Sequence, residues 1–204
     1  MNAPTVFLLS PASLRGIRAR QLTSSRAKFA AALAYRSPGG VPVAEAFTFM
    51  SALYFRGKIA YSRAFESPPP SGGGTFVIAP GFGLVPPDWR LDPERMRRLR
   101  RVEVDPALRA YRQPLERDVR DLATRIGPTG RVVLLGSVAT GKYVDVLHPI
   151  LGAQLLFPEV FAGIGDMSRG ALMLRAAASG TELEYVTLDA PRHRRRPDKE
   201  ESAR

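Results

Sequence analysis

The chain has 204 residues, 45% of them hydrophobic, with 30 Lys and Arg against 19 Asp and Glu and no cysteine. That length supports one domain with a substantial core, and the lack of cysteine excludes disulfides, thiolate metal sites and cysteine nucleophiles. No apolar run approaches the roughly 18 residues of a membrane span. The "VFLL" near the start is too short for a signal-peptide core and follows no basic segment, so the expected location is cytoplasmic.

The net charge of +11 is unevenly spread. Residues 1–65 hold nine basic residues and a single acid, Glu45. An ordinary soluble surface mixes signs, whereas a one-sided basic region suits a polyanion such as nucleic acid. Arg15, Arg18, Arg20, Arg26, Lys28, Arg56 and Lys58 are the candidate contacts to a nucleic-acid backbone.

"TVFLLS" (5–10) reads as a strand that ends in the turn "SPAS". "SSRAKFAAALAYR" reads as a helix with Ser24 or Ser25 as N-cap. Residues 41–65 read as another, with Pro42 in its first turn and Gly57 as a break or bend. Its Phe47, Met50, Tyr54, Tyr61 and Phe65 fall close to one face, a core pattern. "SPPPSGGG" (67–74) is expected to be a flexible loop. "TFVIAP" is a second strand and "GFGLVPPD" the loop after it. "LDPERMRRLRR" begins with Asp92 as N-cap and Pro93 at the first helical position.

"PLERDVRDLATRIG" places Leu115, Val119, Leu122 and Ile126 on one helical face. Glu116/Arg120, Arg117/Asp121 and Asp121/Arg125 are i,i+4 pairs on the other, and Gly127 with Pro128 ends the helix. "RVVLLG" is a third strand, a short helix covers Tyr143 to Leu151, and "AQLLFP" is a fourth strand. "MSRGALMLRAAASG" is a helix closed by Gly180, and "ELEYVTLD" is a last strand. Residues 190–204 form a charged tail expected to be disordered.

Short strands, apolar on both faces and separated by helices, predict one α/β domain over 1–189. The expected architecture is a three-layer sandwich: a mainly parallel four- to five-stranded sheet with helices on both faces. Ligands bind such sheets beyond the carboxyl ends of the strands. Those ends carry "SPAS", "APGFG", "GSVATGK" and "FPEVFAGIGD", all rich in small residues. The four predict one mouth where backbone N–H groups face an anion or a polar ring.

"VVLLGSVATGKYVDVL" has the strand, glycines and lysine of a phosphate-binding P-loop, but Tyr143 stands where a magnesium-holding hydroxyl is needed. It also lies late in the chain, with about sixty residues to follow. The expectation is a phosphate or nucleotide contact without magnesium, through Gly136, Ser137, Thr140, Gly141 and Lys142; a tight turn whose glycines serve packing is the other reading. Ser10 and Ser13 in the first loop, and Ser168 with Arg169 in "GDMSRG", are the remaining candidate ligand contacts. Asp166 is the candidate catalytic acid or base, and also a natural N-cap. The two histidines, His148 and His193, stand far apart, so no metal site and no cofactor is expected. No G-x-S-x-G elbow is present.

"LLSPAS", "GFGLVPPD" and "GDMSRG" resemble, in order, the landmarks of the YaaA-like peroxide-stress proteins. "LYFRGKIAYSRAF" is similar to the small relatives of that group. The order of strands and mouth loops is similar, more distantly, to uracil-DNA glycosylases and the related domain of archaeosine synthase. The first likeness implies a DNA-binding role in stress response or DNA damage protection. The second implies that "SPAS" takes the place of the water-activating loop and "FPEVFAGIGDMSRG" that of the minor-groove loop. "SPASLRG" has no acidic residue or Asn, so this likeness supports nucleic-acid association more than catalysis. The expected function is therefore binding of nucleic acid or a nucleoside at the sheet mouth, extending to base processing. The alternative is a small-molecule enzyme acting on a nucleotide or phosphorylated metabolite, and a third reading is an interaction protein for an acidic partner.

Overall fold

The computed structural model describes residues 3–188; the charged tail expected over 190–204 lies outside them. The chain opens with β1 (Thr5–Leu9), buried at every position. Four helices follow: α1 (Ile17–Thr23), α2 (Ala30–Arg36), then, after the two-residue β2 (Val41–Pro42), α3 (Val43–Ser51) and α4 (Leu53–Phe65). Next come β3 (Thr75–Ala79), β4 (Gly83–Val85), β5 (Arg90–Leu91), α5 (Pro93–Arg101) and α6 (Arg109–Ile126). The last part contains β6 (Arg131–Leu135), α7 (Val144–Leu151), β7 (Leu155–Pro158), α8 (Asp166–Ser179) and β8 (Tyr185–Thr187).

The protein is α/β. Its main sheet runs β4-β3-β1-β6-β7-β8, and β2 pairs with β5 apart from it. The strands β3, β1, β6 and β7 are mutually parallel, and the two edges, β4 and β8, are antiparallel. The sheet thus has six strands rather than four or five. The extra one is β4, formed by Gly83–Val85 inside the segment expected to be a loop. It folds straight back from β3 because Gly81 and Gly83 both take positive φ, which turns the chain within a few residues.

Helices lie around this sheet. Successive residues of a strand face opposite sides, so β1 sends Phe7 and Leu9 into one apolar cluster and Val6 and Leu8 into another. The first cluster takes in residues of α1–α5 and α8, and the second those of α6 and α7. Leu115, Val119, Leu122 and Ile126 are buried as their spacing predicts. The helix they belong to starts earlier, at Arg109, and carries Pro114 inside. On its outer face Arg120 pairs with Glu116 and Arg125 with Asp121, whereas Arg117 takes its neighbour Asp118 instead of Asp121.

Three local expectations change. Ser24 ends α1 rather than starting α2, whose N-cap is Phe29, and α1 itself lacks a sequence signal strong enough to mark it. The long helix over 41–65 is two helices that break at Ala52, which has φ 46°. Gly57 does not break anything. It sits inside α4 because a Cβ there would lie 2.7 Å from the carbonyl oxygen of Gly170. Gly170 in turn would place a Cβ 2.8 Å from the carbonyl of Leu53. These two glycines let α4 and α8 touch backbone to backbone. Asp92 does cap α5, accepting from the amide of Arg95 at 2.8 Å, and Gly180 closes α8 with φ 66°.

Candidate functional site at the carboxyl ends of the central strands

The connection after β1 leads to β3 on one side, and the connection after β6 leads to β7 on the other. The crevice between the carboxyl ends of β1 and β6 is therefore the topological switch point, where open α/β sheets hold ligands. Ser10 and Gly136 occupy it. The Ser10 amide donates to the Leu135 carbonyl at 3.2 Å, and its hydroxyl lies 3.3 Å from the same oxygen. A Cβ on Gly136 would meet Ser10 Cβ at 3.0 Å and Oγ at 3.2 Å, so glycine suits the close approach of the two strand ends.

Lys58 reaches this point from α4. It is 1% exposed, and its Nζ donates to the Ser10 carbonyl at 3.0 Å and to Ser10 Oγ at 2.6 Å. The ammonium also stands 3.9 Å from the centre of the Tyr54 ring. Lysine is almost never fully buried without an acid beside it, yet among the described residues Lys58 has no ion pair within 4.0 Å. Removal from water disfavours the charged form and brings its pKa down to about 7; the field of Asp166 opposes this and that of Arg169 adds to it. Lys58 is thus not among the surface charges that hold a phosphate backbone, as its place in the basic N-terminal third suggested. The close α4–α8 crossing draws it inward, one residue after Gly57.

The crossing also sets the surroundings. Tyr54 lies one turn before Lys58 on α4, and burial raises the pKa of its phenol while Arg169 of α8 lowers it. Tyr143, 8% exposed, packs on Ser10, and burial pushes its hydroxyl up to about 12. Its phenol is therefore a floor to the mouth and not a magnesium ligand. Arg169 turns its guanidinium back onto the Phe161 carbonyl, at 3.2 and 2.8 Å, and stands 3.6 Å from Asp166. That arginine fastens the loop between β7 and α8 and is not directed at a phosphate. Asp166 is the first residue of α8 and not its N-cap, which is Gly165. Both Asp166 and Ser168 are exposed and lie outside the cleft described next.

Above the switch point opens a cleft of about 760 Å³. Its walls come from the loops after β1 (Pro11–Arg15), β3 (Pro80) and β6 (Thr140, Lys142, Tyr143), and from α5 and the segment after it. Ser13, Thr140 and Lys142 line it; Ser10 and Gly136 do not, both being buried, Ser10 to 6% exposure directly before the wall residue Pro11. Arg15, Arg100 and Lys142 bring positive charge, and Glu103 and Asp105 bring negative charge. Tyr111 anchors the Lys142 loop by donating to the Lys142 carbonyl at 2.9 Å. Ser137 serves that loop locally, accepting from the amide of Ala139.

The loop departs from a P-loop in one more respect. A Cβ on Gly141 would lie 2.6 Å from a carboxylate oxygen of Asp145. An acid in the first turn of α7 therefore faces the turn that would cradle a phosphate. Among the described residues no three His, Asp or Glu side chains lie together as a metal site.

The expected basic face gains a partner that sequence reading did not single out. Arg15, Arg18, Arg20, Arg26, Lys28 and Arg56 are exposed. Helix α5 adds Arg95, Arg97, Arg98, Arg100 and Arg101. Arg100 donates to the Leu14 carbonyl and to Thr23, which fixes α5 against α1. The repeating "PERMRRLRR" was the available signal: Met96 and Leu99 turn inward, Arg97, Arg98 and Arg101 are exposed, and Arg95 and Arg100 are half-buried. No helix among the described residues is long and apolar enough to cross a membrane. Comparison of the chain with known protein families, curated proteins and solved structures yields no match.

Proposed function

We propose that the protein binds nucleic acid, or a nucleoside-type ligand, with its anionic groups on the arginine face of α1 and α5 and a base or sugar in the cleft above Ser10. The observation that supports this most is the continuity of the two surfaces. Arg15 and Arg100 belong both to the cleft wall and to the basic face. Beside them Arg95, Arg97, Arg98 and Arg101 line a second hollow of about 650 Å³ with Phe82, Asp92 and Glu94. Arg97 and Arg101 are exposed on α5 beside the cleft wall, where a polyanion that enters the site at one nucleotide would run.

A salt titration tests this reading. Single- and double-stranded DNA and RNA oligonucleotides are titrated between 50 and 200 mM salt, with affinity falling steeply as salt rises. Arg97→Glu with Arg101→Glu flattens the slope by about two if both contact phosphates. Absence of binding near 50 mM salt, or binding with no salt dependence, overturns it.

A further inference from the structure

We propose that Ser10 is a nucleophile for acyl transfer, with Lys58 as its general base, acting on an ester or thioester of an anionic molecule held in the cleft. Four observations carry this, and none requires that the ligand be nucleic acid. The Ser10 hydroxyl is 2.6 Å from Lys58 Nζ, within the reach a base needs. The pair lies at the switch point of the sheet, and Pro11, the residue after Ser10, lines the cleft. Gly136 lets the ends of β1 and β6 close on each other, since a Cβ there would meet Ser10 Oγ at 3.2 Å. Lys58 is buried with no carboxylate within 4.0 Å among the described residues, so no ion pair holds its charge and burial favours the neutral amine.

A lysine that served only to cap the end of β1 would be satisfied by the Ser10 carbonyl. The contact to the hydroxyl is additional: Nζ donates to Oγ, whose own proton is directed at the Leu135 carbonyl 3.3 Å away, so rotation of the hydroxyl about Cβ–Oγ is what would turn that proton onto a neutral Lys58. Serine–lysine pairs are an established alternative to a serine–histidine arrangement, and they rely on a lysine made neutral by its surroundings. The groups that face Lys58 are Ser10 from β1, Tyr54 from its own helix, and Asp166 and Arg169 from α8. Desolvation outweighs their fields and leaves a large neutral fraction at neutral pH.

The reaction balances with water as the only co-reactant. The neutral Lys58 amine takes the Ser10 hydroxyl proton as Oγ bonds to the substrate carbonyl carbon. The carbonyl–oxygen or carbonyl–sulfur bond then breaks, and the leaving group takes the proton from the Lys58 ammonium. Water next gives a proton to Lys58 and adds its oxygen to the acyl carbon. Release of the carboxylic acid returns that proton to Ser10. Arg15, Arg100 and Lys142 suit an anionic group on the substrate.

The test is labelling of the native protein by a serine-directed fluorophosphonate, with the modified residue located by peptide mass, alongside a pre-steady-state burst with p-nitrophenyl acetate. The expected result is near-stoichiometric label on Ser10, with a rate that rises through about pH 7. Ser10→Ala abolishes both label and burst. Lys58→Met and Lys58→Arg each slow labelling by about a hundredfold or more, since loss of a general base has that scale. No label on Ser10 in the folded native protein overturns the assignment. A labelling rate that is flat from pH 6 to 9, or unchanged in Lys58→Met, overturns the role of the lysine. Failure to bind oligonucleotides touches neither outcome.

Discussion

Two lysines bear on the mouth, and they differ in what surrounds them. Lys142 stands on an exposed glycine-rich loop, in a sequence pattern that advertises phosphate binding. Lys58 stands in an unremarked helix, buried against a serine and a tyrosine. The loop keeps its lysine exposed and packs its turn on Asp145. The helix removes its lysine from water and lowers its pKa to about 7. A motif locates charge; burial decides whether that charge does chemistry.

The contrast can be broken most severely at the helix crossing. Gly57→Val or Gly170→Val forces side-chain atoms into a backbone contact below 3 Å, so the helices must separate. The expected loss is about 3 kcal/mol or more by chemical denaturation, with Ser10 labelling lost in any protein that still folds.

Next comes the pH dependence of stability. The unfolded chain holds the Lys58 proton up to its ordinary 10.5 and the folded protein releases it near 7. Between those values the unfolded state binds more protons, so stability rises with pH, by up to about 5 kcal/mol across the whole window. Below pH 7 both states are protonated and the contribution is flat. Tyr143 acts oppositely above pH 10, where the unfolded phenol ionises while the folded one stays protonated to about 12. Denaturant titrations of native protein and Lys58→Met across pH 6 to 10 check this. The slope is present in the first and absent in the second, and equal slopes would refute the burial effect.

Smaller again is Gly136→Ala. Its added methyl meets Ser10 Cβ at 3.0 Å, a conflict worth about 1 kcal/mol in stability, while slowing Ser10 labelling by a larger factor. Smallest is Lys142→Ala, an exposed change that should shift stability by less than about 0.5 kcal/mol. If the loop contacts an anion in the cleft, oligonucleotide or nucleotide affinity falls by up to about tenfold while Ser10 labelling stays as it was. A variant that loses labelling instead would erase the distinction between the two lysines.

Much of the fold was legible because its signals are local. Strand runs such as "TVFLL" and "RVVLL" are apolar throughout, as strands covered on both faces must be. Asp92 followed by Pro93, the i,i+4 row from Leu115 to Ile126, and Gly180 mark ends and faces within a few residues. The candidate site was half legible. Ser10, Ser13, Gly136, Thr140 and Lys142 gather at one edge because parallel strands deliver their following loops to the same side. Arg169 and Lys58 were placed wrongly for one reason. Their partners, the Phe161 carbonyl and Ser10, are fixed by how α8 and α4 pack, and neither packing leaves a periodic trace.

By itself, then, the sequence determined the α/β class, the parallel strands and the loops at their carboxyl ends, since backbone propensity and alternating burial act over neighbouring residues. The tertiary structure decided the crossing of α4 on α8 through Gly57 and Gly170, the antiparallel edge at β4, and the meeting of Ser10 with a lysine 48 residues away. Whether a lysine is a surface charge or a buried amine depends on desolvation. Desolvation is set by everything that packs around the group, and its neighbours in the chain supply little of that.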